Sequence, residues 1–294
     1  MRLQHKATLE GHEHPIYALC SSSKEHIIFS GGGEGAVVEW SLKTMQPLKI
    51  MFKTRASIYS IHCPKALPLL VSGDREGKIS IFHFIEQKLI YQELICKKAI
   101  FGMLSIEHLL YVVSEDGTLC VFDLSSLTKV AEHFISESAL RCISYNVKDQ
   151  LLYIGSKDCI IYAFSLQEQK VKYKMQDHTL PVFSLAYDDT HQHLLSGSRD
   201  AQIKIWTSTE VQNLPAHLYA VNNIQLIPSL GIFASASMDK SLKIWDAQNF
   251  RLMGLADSQV NNGHHKSVNT LCFTPYENLL VSAGDDKLIK VWNF

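Results

Sequence analysis

Seven copies of one eleven-residue pattern, spaced about forty residues apart, govern what this chain can fold into. The clearest copy is Ser196-Gly-Ser-Arg-Asp-Ala-Gln-Ile-Lys-Ile-Trp206. It reads as a short strand, a tight polar turn holding Asp200, and an alternating strand (Ile203, Ile205) that ends on an aromatic ring. Residues 30–40, 72–82, 112–122, 154–164, 235–245 and 282–292 repeat it. From ring to ring the steps are 42, 40, 42, 42, 39 and 47 residues. A four-stranded blade repeated around an axis has a period of roughly 40–45 residues. The spacing therefore predicts an all-β, seven-bladed propeller with four-stranded antiparallel blades.

The turn keeps the same phase. Six residues before each closing ring stands an acid: Glu34, Glu76, Asp116, Asp158, Asp200, Asp239 and Asp286. A short acceptor in a tight connection can bond the turn's own N–H groups. A merely polar turn would not hold its acid in register with the ring, so these acids read as structural and none as catalytic.

The 294 residues contain no Pro/Ser-rich linker, charge block or low-complexity tract, which predicts one domain over residues 1–294. Lys and Arg (28) nearly balance Asp and Glu (29), so sequence-independent attraction to nucleic acid or an anionic membrane is not expected. The seven cysteines form no Cys-x-x-Cys pair. Lying mostly in strand-like runs, they read as small buried hydrophobes in a reducing compartment, not as a disulfide frame or zinc site. Residues 1–6 have no apolar leader core, and no apolar run approaches a membrane span. The expectation is a soluble, cytoplasmic protein.

Residues 3–10 look like a strand without a partner, while the last repeat stops at Trp292-Asn293-Phe294 after its third strand. The other six blades have a fourth strand, such as Pro47-Leu-Lys-Ile-Met-Phe52. Residues 3–10 are therefore expected to complete blade seven and close the ring, which removes exposed hydrogen-bonding edges.

A second fixed feature precedes each first strand. His12, His178, His217 and His264 lie four residues before Ile16, Val182, Val221 and Val268. The other three blades have Thr54, Cys96 and Ser136 there. The four histidine blades close on Trp40, Trp206, Trp245 and Trp292; the three others close on Phe82, Phe122 and Phe164. Losing imidazole and indole together is what a shared hydrogen-bond network predicts, since a buried polar network is worth keeping only when every member is satisfied.

A Gly-His near the start, an Asp in the turn and a Trp-Asp at the end resemble the WD40 repeat, over essentially the full chain. Trp245-Asp246 matches the final dipeptide literally, whereas Trp40-Ser41, Trp206-Thr207 and Trp292-Asn293 are worn versions. The resemblance implies a network of Asp, His, Ser and Trp in each complete blade. The sets are His178, Ser196, Asp200 and Trp206; His217, Ser235, Asp239 and Trp245; and His264, Ser282, Asp286 and Trp292. Blade one would use His12, Ser30 and Trp40, with Glu34 as a longer acid. Blades two to four depart from the pattern and are expected to rely more on apolar packing. The resemblance is to stand-alone WD40 proteins, with regulation and catalysis left to partners.

The last step is about five residues longer than the rest, and Ala256-Asp-Ser-Gln-Val-Asn-Asn-Gly263 is the polar surplus. It is expected to form a longer loop on the Gly-His face. His191 and His193 beside Asp188-Asp189 could chelate a metal if they shared a strand face. They fall in a polar connection instead, so no metal is expected. Gly31-Gly-Gly33 lacks the Lys-Ser/Thr of a phosphate loop, and no Gly-x-Ser-x-Gly or His-Glu-x-x-His occurs. No catalytic residue and no cofactor are assigned.

In WD40 proteins partner contacts often come from the Gly-His face around the central channel. Two positions per blade usually point there: the residue after the first strand's apolar landmark, and the residue before the turn acid. Here the first ring is Tyr17, Tyr59, Phe101, Arg141, Phe183, Asn222 and Asn269. The second is Gly33, Arg75, Glu115, Lys157, Arg199, Met238 and Asp285. Four aromatics with Arg75, Arg141 and Arg199 nearby have the composition of an interaction hot spot. A residue one step into a buried strand can equally pack between blades, and the sequence leaves both placements open. The expected function is a non-catalytic adaptor for a peptide or protein partner. An enzyme or small-ligand binder at the channel mouth, and a structural subunit held by its blade sides or its opposite face, are the alternatives.

Overall fold

Apolar residues stand on both sides of the middle strands of every repeat, so each blade has to be covered on both faces. Leu69–Asp74 is buried along its whole length and Lys78–His83 along most of it, whereas the outer strand Lys88–Leu94 of the same blade is largely exposed. The computed structural model describes residues 3–24 and 26–294. It answers this demand with seven four-stranded antiparallel sheets arranged as a propeller. The core is divided among the seams. Ile16, Trp40, Val281 and Ile289 fill the seam between blades seven and one, and Phe29, Val37, Ile58 and Leu70 the next.

Gln4–Leu9 pairs antiparallel with Ile289–Asn293, Leu9 opposite Ile289 and Gln4 opposite Asn293, and is the fourth strand of blade seven. Its two ends serve different seams. Leu9, 2% exposed, packs with Ile16 and Trp40, and Leu3, 1% exposed, packs with Ile227 and Trp292.

Four blades contain the full polar network. In blade five Trp206 Nε1 donates to Ser196 Oγ (2.7 Å), which lies 2.7 Å from His178 Nε2, and His178 Nδ1 lies 2.8 Å from Asp200. An indole N–H can only donate, so the serine proton must pass to Nε2 and the Nδ1 proton to the acid. Ser235 and Ser282 bridge Trp245 to His217 and Trp292 to His264 at 2.7–2.8 Å, with Asp239 and Asp286 behind. In blade one Ser30 joins Trp40 and His12. There the longer Glu34 reaches His12 with one oxygen and leaves the other without a hydrogen bond. Burial pushes the Asp200, Asp239 and Asp286 carboxyls up, but bonds from the histidines and from backbone N–H groups outweigh it and hold them below the usual range.

Blades two to four do not simply become apolar, and each departs differently. In blade four Ser136, at the histidine position, donates to Asp158 (2.7 Å), and the Tyr162 hydroxyl donates to the same oxygen (2.8 Å). In blade three Asp116 accepts from Ser114, from Thr118 Oγ1 (2.6 Å) and from the Lys97 N–H (2.9 Å). In blade two the turn acceptor is Asp74, which takes the Glu76 and Lys78 N–H groups, while Glu76 itself is exposed. Ser72, the counterpart of Ser196, is buried with no hydrogen bond to its hydroxyl.

That contrast gives a paired expectation. His178→Ala leaves the buried Ser196 hydroxyl without its acceptor, takes one donor from Asp200 and lowers unfolding free energy by about 1–3 kcal/mol, whereas Ser72→Ala removes an orphan and leaves stability equal or raised by about 1 kcal/mol. Denaturant titration of both variants checks it. A loss from Ser72→Ala matching that of His178→Ala would contradict it.

A second exchange accompanies the histidine. Thr54, Cys96 and Ser136 each face a turn glycine of the preceding blade: Gly35, Gly77 and Gly117, at φ 75°, 90° and 81°. Where the next blade carries histidine, the same turn position holds Cys159, Ala201, Lys240 or Lys287, also at positive φ. With the small residue, the loop carbonyl sits where a Cβ would be. The carbonyls of Thr54, Cys96 and Ser136 would lie 2.3, 2.3 and 1.7 Å from a Cβ on the facing glycine.

His62 lies between the inner strands of blades two and three, its Nε2 2.7 Å from Ser105 Oγ, and burial pushes its pKa down to about 4. A depressed histidine stays neutral in the folded chain while the unfolded chain takes up a proton. Its contribution is therefore intact above pH ~6.5 and lost as pH falls toward 4. The span corresponds to about 3 kcal/mol, less what the water touching its exposed edge recovers. Stability measured across that window should drop less steeply in His62→Gln. An unchanged slope would contradict this reading.

Candidate partner-binding face

Each inner strand carries one extra residue near its start. In Ile16–Ser21, Ile16 opposes Gly32 and Ala18 opposes Gly31, so Tyr17 is a bulge. The same interruption falls at Tyr59, Phe101, Arg141, Phe183, Asn222 and Asn269. A bulge re-aims its side chain and breaks the alternation of the strand. Here all seven turn toward the axis and line a cavity of about 640 Å3 at the mouth of the channel, joined by Arg75, Ala99 and Glu115.

The seven residues are partly exposed, and they also touch one another around the ring. Tyr17 meets Tyr59 edge-on at 5.2 Å between ring centroids, and Tyr59 stacks on Phe101 at 5.5 Å. The Arg141 guanidinium lies 4.1 Å from the Phe101 ring and 5.7 Å from that of Phe183. Across the two seams that flank blade seven hydrogen bonds replace rings. Asn222 donates to Ser267 Oγ and Val268 O, and Asn269 to Ile16 O and Asp285. The two placements the sequence left open thus coexist: one edge of each side chain packs on its neighbour and the other faces the cavity.

Of the second ring, Arg75 and Glu115 reach the cavity wall, whereas Lys157, Arg199 and Met238 are exposed on the surrounding rim. Burial pushes the Tyr17 phenol up, with Tyr59 and Asp285 adding to it. Deeper in the channel, burial pushes the Cys142 thiol up to about 12. The Tyr17 phenol and the Cys142 thiol stay protonated at neutral pH, so the wall offers hydrogen-bond donors, π faces and cationic charge. Among the described residues no group of three His, Cys, Asp or Glu side chains converges to hold a metal. His191 turns onto Asp188 (2.8 Å) and stacks on His193. The cysteines are all free thiols. No helix of the described residues is long and apolar enough to cross a membrane.

Part of the face was not assigned from sequence. Leu180, Leu218 and Tyr219, in the loops opening blades five and six, are 42%, 83% and 61% exposed, and Met238 is 57% exposed. The Met238 N–H donates to Ala220 O and ties its turn to the Leu218–Tyr219 loop. The available signal was Leu218 directly after His217, where the other histidine blades have Glu13, Thr179 and His265. The surplus before blade seven is organised by Asp257, whose side chain accepts the Gln259 and Val260 N–H groups (2.8 Å each).

Comparison with known proteins agrees with this architecture. The family model "WD domain, G-beta repeat" matches residues 3–41, 169–207, 208–246 and 257–293. These are the four blades with a complete His–Trp network. The nuclear distribution protein nudF 1 of Talaromyces marneffei is 31% identical over 131 residues, 42% of this chain and 28% of that protein. The WD repeat-containing protein 55 homolog of Dictyostelium discoideum is 26% identical over 203 residues, 67% of this chain and 48% of the relative. The WD repeat-containing protein 55 of Rattus norvegicus is 24% identical over 215 residues, 70% of this chain and 54% of the relative. The chain thus matches between about a quarter and a half of these relatives' length. With four matched repeats covering half of it and all seven blades built to one plan, the chain belongs to the WD40 repeat family.

Proposed function

We propose that the protein is a non-catalytic interaction scaffold whose channel mouth receives a peptide segment of a partner protein, with residues 1–294 acting as one domain. The observation that carries this reading is the bulge register: seven successive blades aim seven side chains at one concave site. A partly exposed cluster of Tyr17, Tyr59, Phe101 and Phe183 with an arginine has hot-spot composition, and such a cluster needs a partner to justify it. The rigid ring lowers the ordering cost of binding. Free thiols and no paired cystine fit a reducing, cytoplasmic setting.

The test is selection of displayed random peptides on the intact protein. Selected peptides should bind Tyr17→Ala/Phe101→Ala about ten-fold or more weakly, as removal of two hot-spot rings demands, with the melting temperature unchanged. Equal binding by a folded double variant moves the site elsewhere. One feature favours the structural-subunit reading in that event. Tyr153, Tyr173 and Tyr187 line a groove of about 390 Å3 on the sides of blades four and five.

A further inference from the structure

Part of the polar chemistry of the mouth is already committed to partners. Asn222 and Asn269 bridge seams, and Asp285 accepts from Asn269. Arg141 does not fit this pattern. Among the described residues no carboxylate lies within ion-pair distance of it, and its Nε is buried without a hydrogen-bond acceptor. Glu115 attracts it only from a distance, while burial lowers its pKa. A partly desolvated guanidinium with unmade hydrogen bonds is costly, and it persists where an acceptor arrives from outside.

The geometry says which acceptor. Phe101 and Phe183 flank the guanidinium, 4.1 and 5.7 Å from their ring centres, and Arg141 lines the cavity, where its terminal N–H groups can meet a ligand. An arginine edge presents parallel N–H donors that match a planar carboxylate, and the pair is strongest away from bulk water. Charge around the site has the same sense. Arg75 lines the cavity, Lys157 and Arg199 stand on the neighbouring rim, and the acids at the mouth are Glu115 and Asp285, the second already hydrogen-bonded.

Resting on the reading of the mouth as a peptide site, we propose that Arg141 receives the side-chain carboxylate of an Asp or Glu in the bound segment. The partner is then an acidic peptide, drawn in by the basic rim and fixed in register by one bidentate contact. The basic rim acts on arrival and Arg141 on residence.

The experiment uses the intact protein and three pools of random octapeptides, acetylated and amidated so that no terminal charge competes. The pools differ only in whether the fourth position is Glu, Gln or phosphoserine. Fluorescence anisotropy should show the Glu pool binding about ten-fold or more tightly than the Gln pool, the value of a charge-assisted pair. Arg141→Gln should abolish that preference. Arg141→Lys, which keeps the charge but loses the fork, should lose most of it, and this comparison with the parent's own Glu/Gln difference decides the matter if Arg141→Gln fails to fold. Equal binding of Glu and Gln pools overturns the carboxylate assignment while leaving the mouth as the peptide site. So does tighter binding of the phosphoserine pool. No binding of any pool, or binding untouched by Tyr17→Ala/Phe101→Ala, overturns the mouth itself.

Discussion

Gly117→Ala is expected to cost at least about 4 kcal/mol, in the range reserved for severe backbone conflicts. The added Cβ would fall 1.7 Å from the carbonyl oxygen of Ser136, and Gly117 already stands at φ 81°. Nothing flexible can give way, because the opposing atom belongs to the loop that places Ser136 over Asp158. The turn two blades further on supplies the control. Ala201 occupies the same turn position at φ 68° with His217 opposite, and its backbone has already made room for a side chain. Ala201→Gly should therefore change stability by less than about 1 kcal/mol, since relief of the left-handed conformation and the greater freedom of unfolded glycine oppose each other. Chemical denaturation of the two variants side by side decides it. A Gly117→Ala protein as stable as Ala201→Gly would show that the loop carbonyl is not fixed.

Deleting residues 1–10 should have an effect of similar size by a different route. Leu3 and Leu9 are fully buried in two different seams, and each contributes about 1.5–3 kcal/mol of apolar burial. The ladder from Gln4–Leu9 to Ile289–Asn293 would be lost as well. That sum approaches the whole stability of an ordinary domain, about 5–15 kcal/mol. The truncated chain should unfold at much lower denaturant and associate through the bared strand Ile289–Asn293, since an unpaired apolar edge is a template for another chain. A synthetic peptide of residues 1–10 added in trans should restore the melting transition. A monomeric truncated protein that melts like the parent would mean that the closure is decorative.

Much of this was open to reading because repetition amplifies weak signals. One strand–turn–strand copy ending on Trp206 is compatible with many folds; seven at a fixed step are not. The closure followed from a missing fourth strand at one end and a spare one at the other. The paired exchange of His12, His178, His217 and His264 with the four tryptophans pointed to a network that the hydrogen bonds at Ser30, Ser196, Ser235 and Ser282 complete. The expectation for blades two to four was incomplete: Ser72 in blade two has lost its hydrogen bond, but blades three and four keep polar contacts at the turn acid. Asp158 instead recruited Tyr162 from the strand beside it, and Asp74 took over from Glu76, choices that depend on which side chains share a face. The exchange of Gly35, Gly77 and Gly117 against the next blade's histidine was present in the letters, but nothing in one dimension says that these turns touch the loop that follows.

For the mouth the division is sharper. The resemblance to WD40 repeats picked out Tyr17, Tyr59, Phe101, Arg141, Phe183, Asn222 and Asn269, since each follows the apolar residue that opens an inner strand. Whether such residues face the channel or the seam is decided by the bulge, a mismatch between two paired strands that neither strand encodes by itself. The isolation of Arg141 is likewise a property of three blades at once: Phe101 on one side, Phe183 on the other, and no acid within reach. The sequence by itself determined the number of blades, the closure and the composition of the face, because periodicity and missing strands are one-dimensional facts. Only the tertiary structure decided that Arg141 keeps a buried N–H without an acceptor, because hydrogen-bond satisfaction depends on distances between residues far apart in the chain.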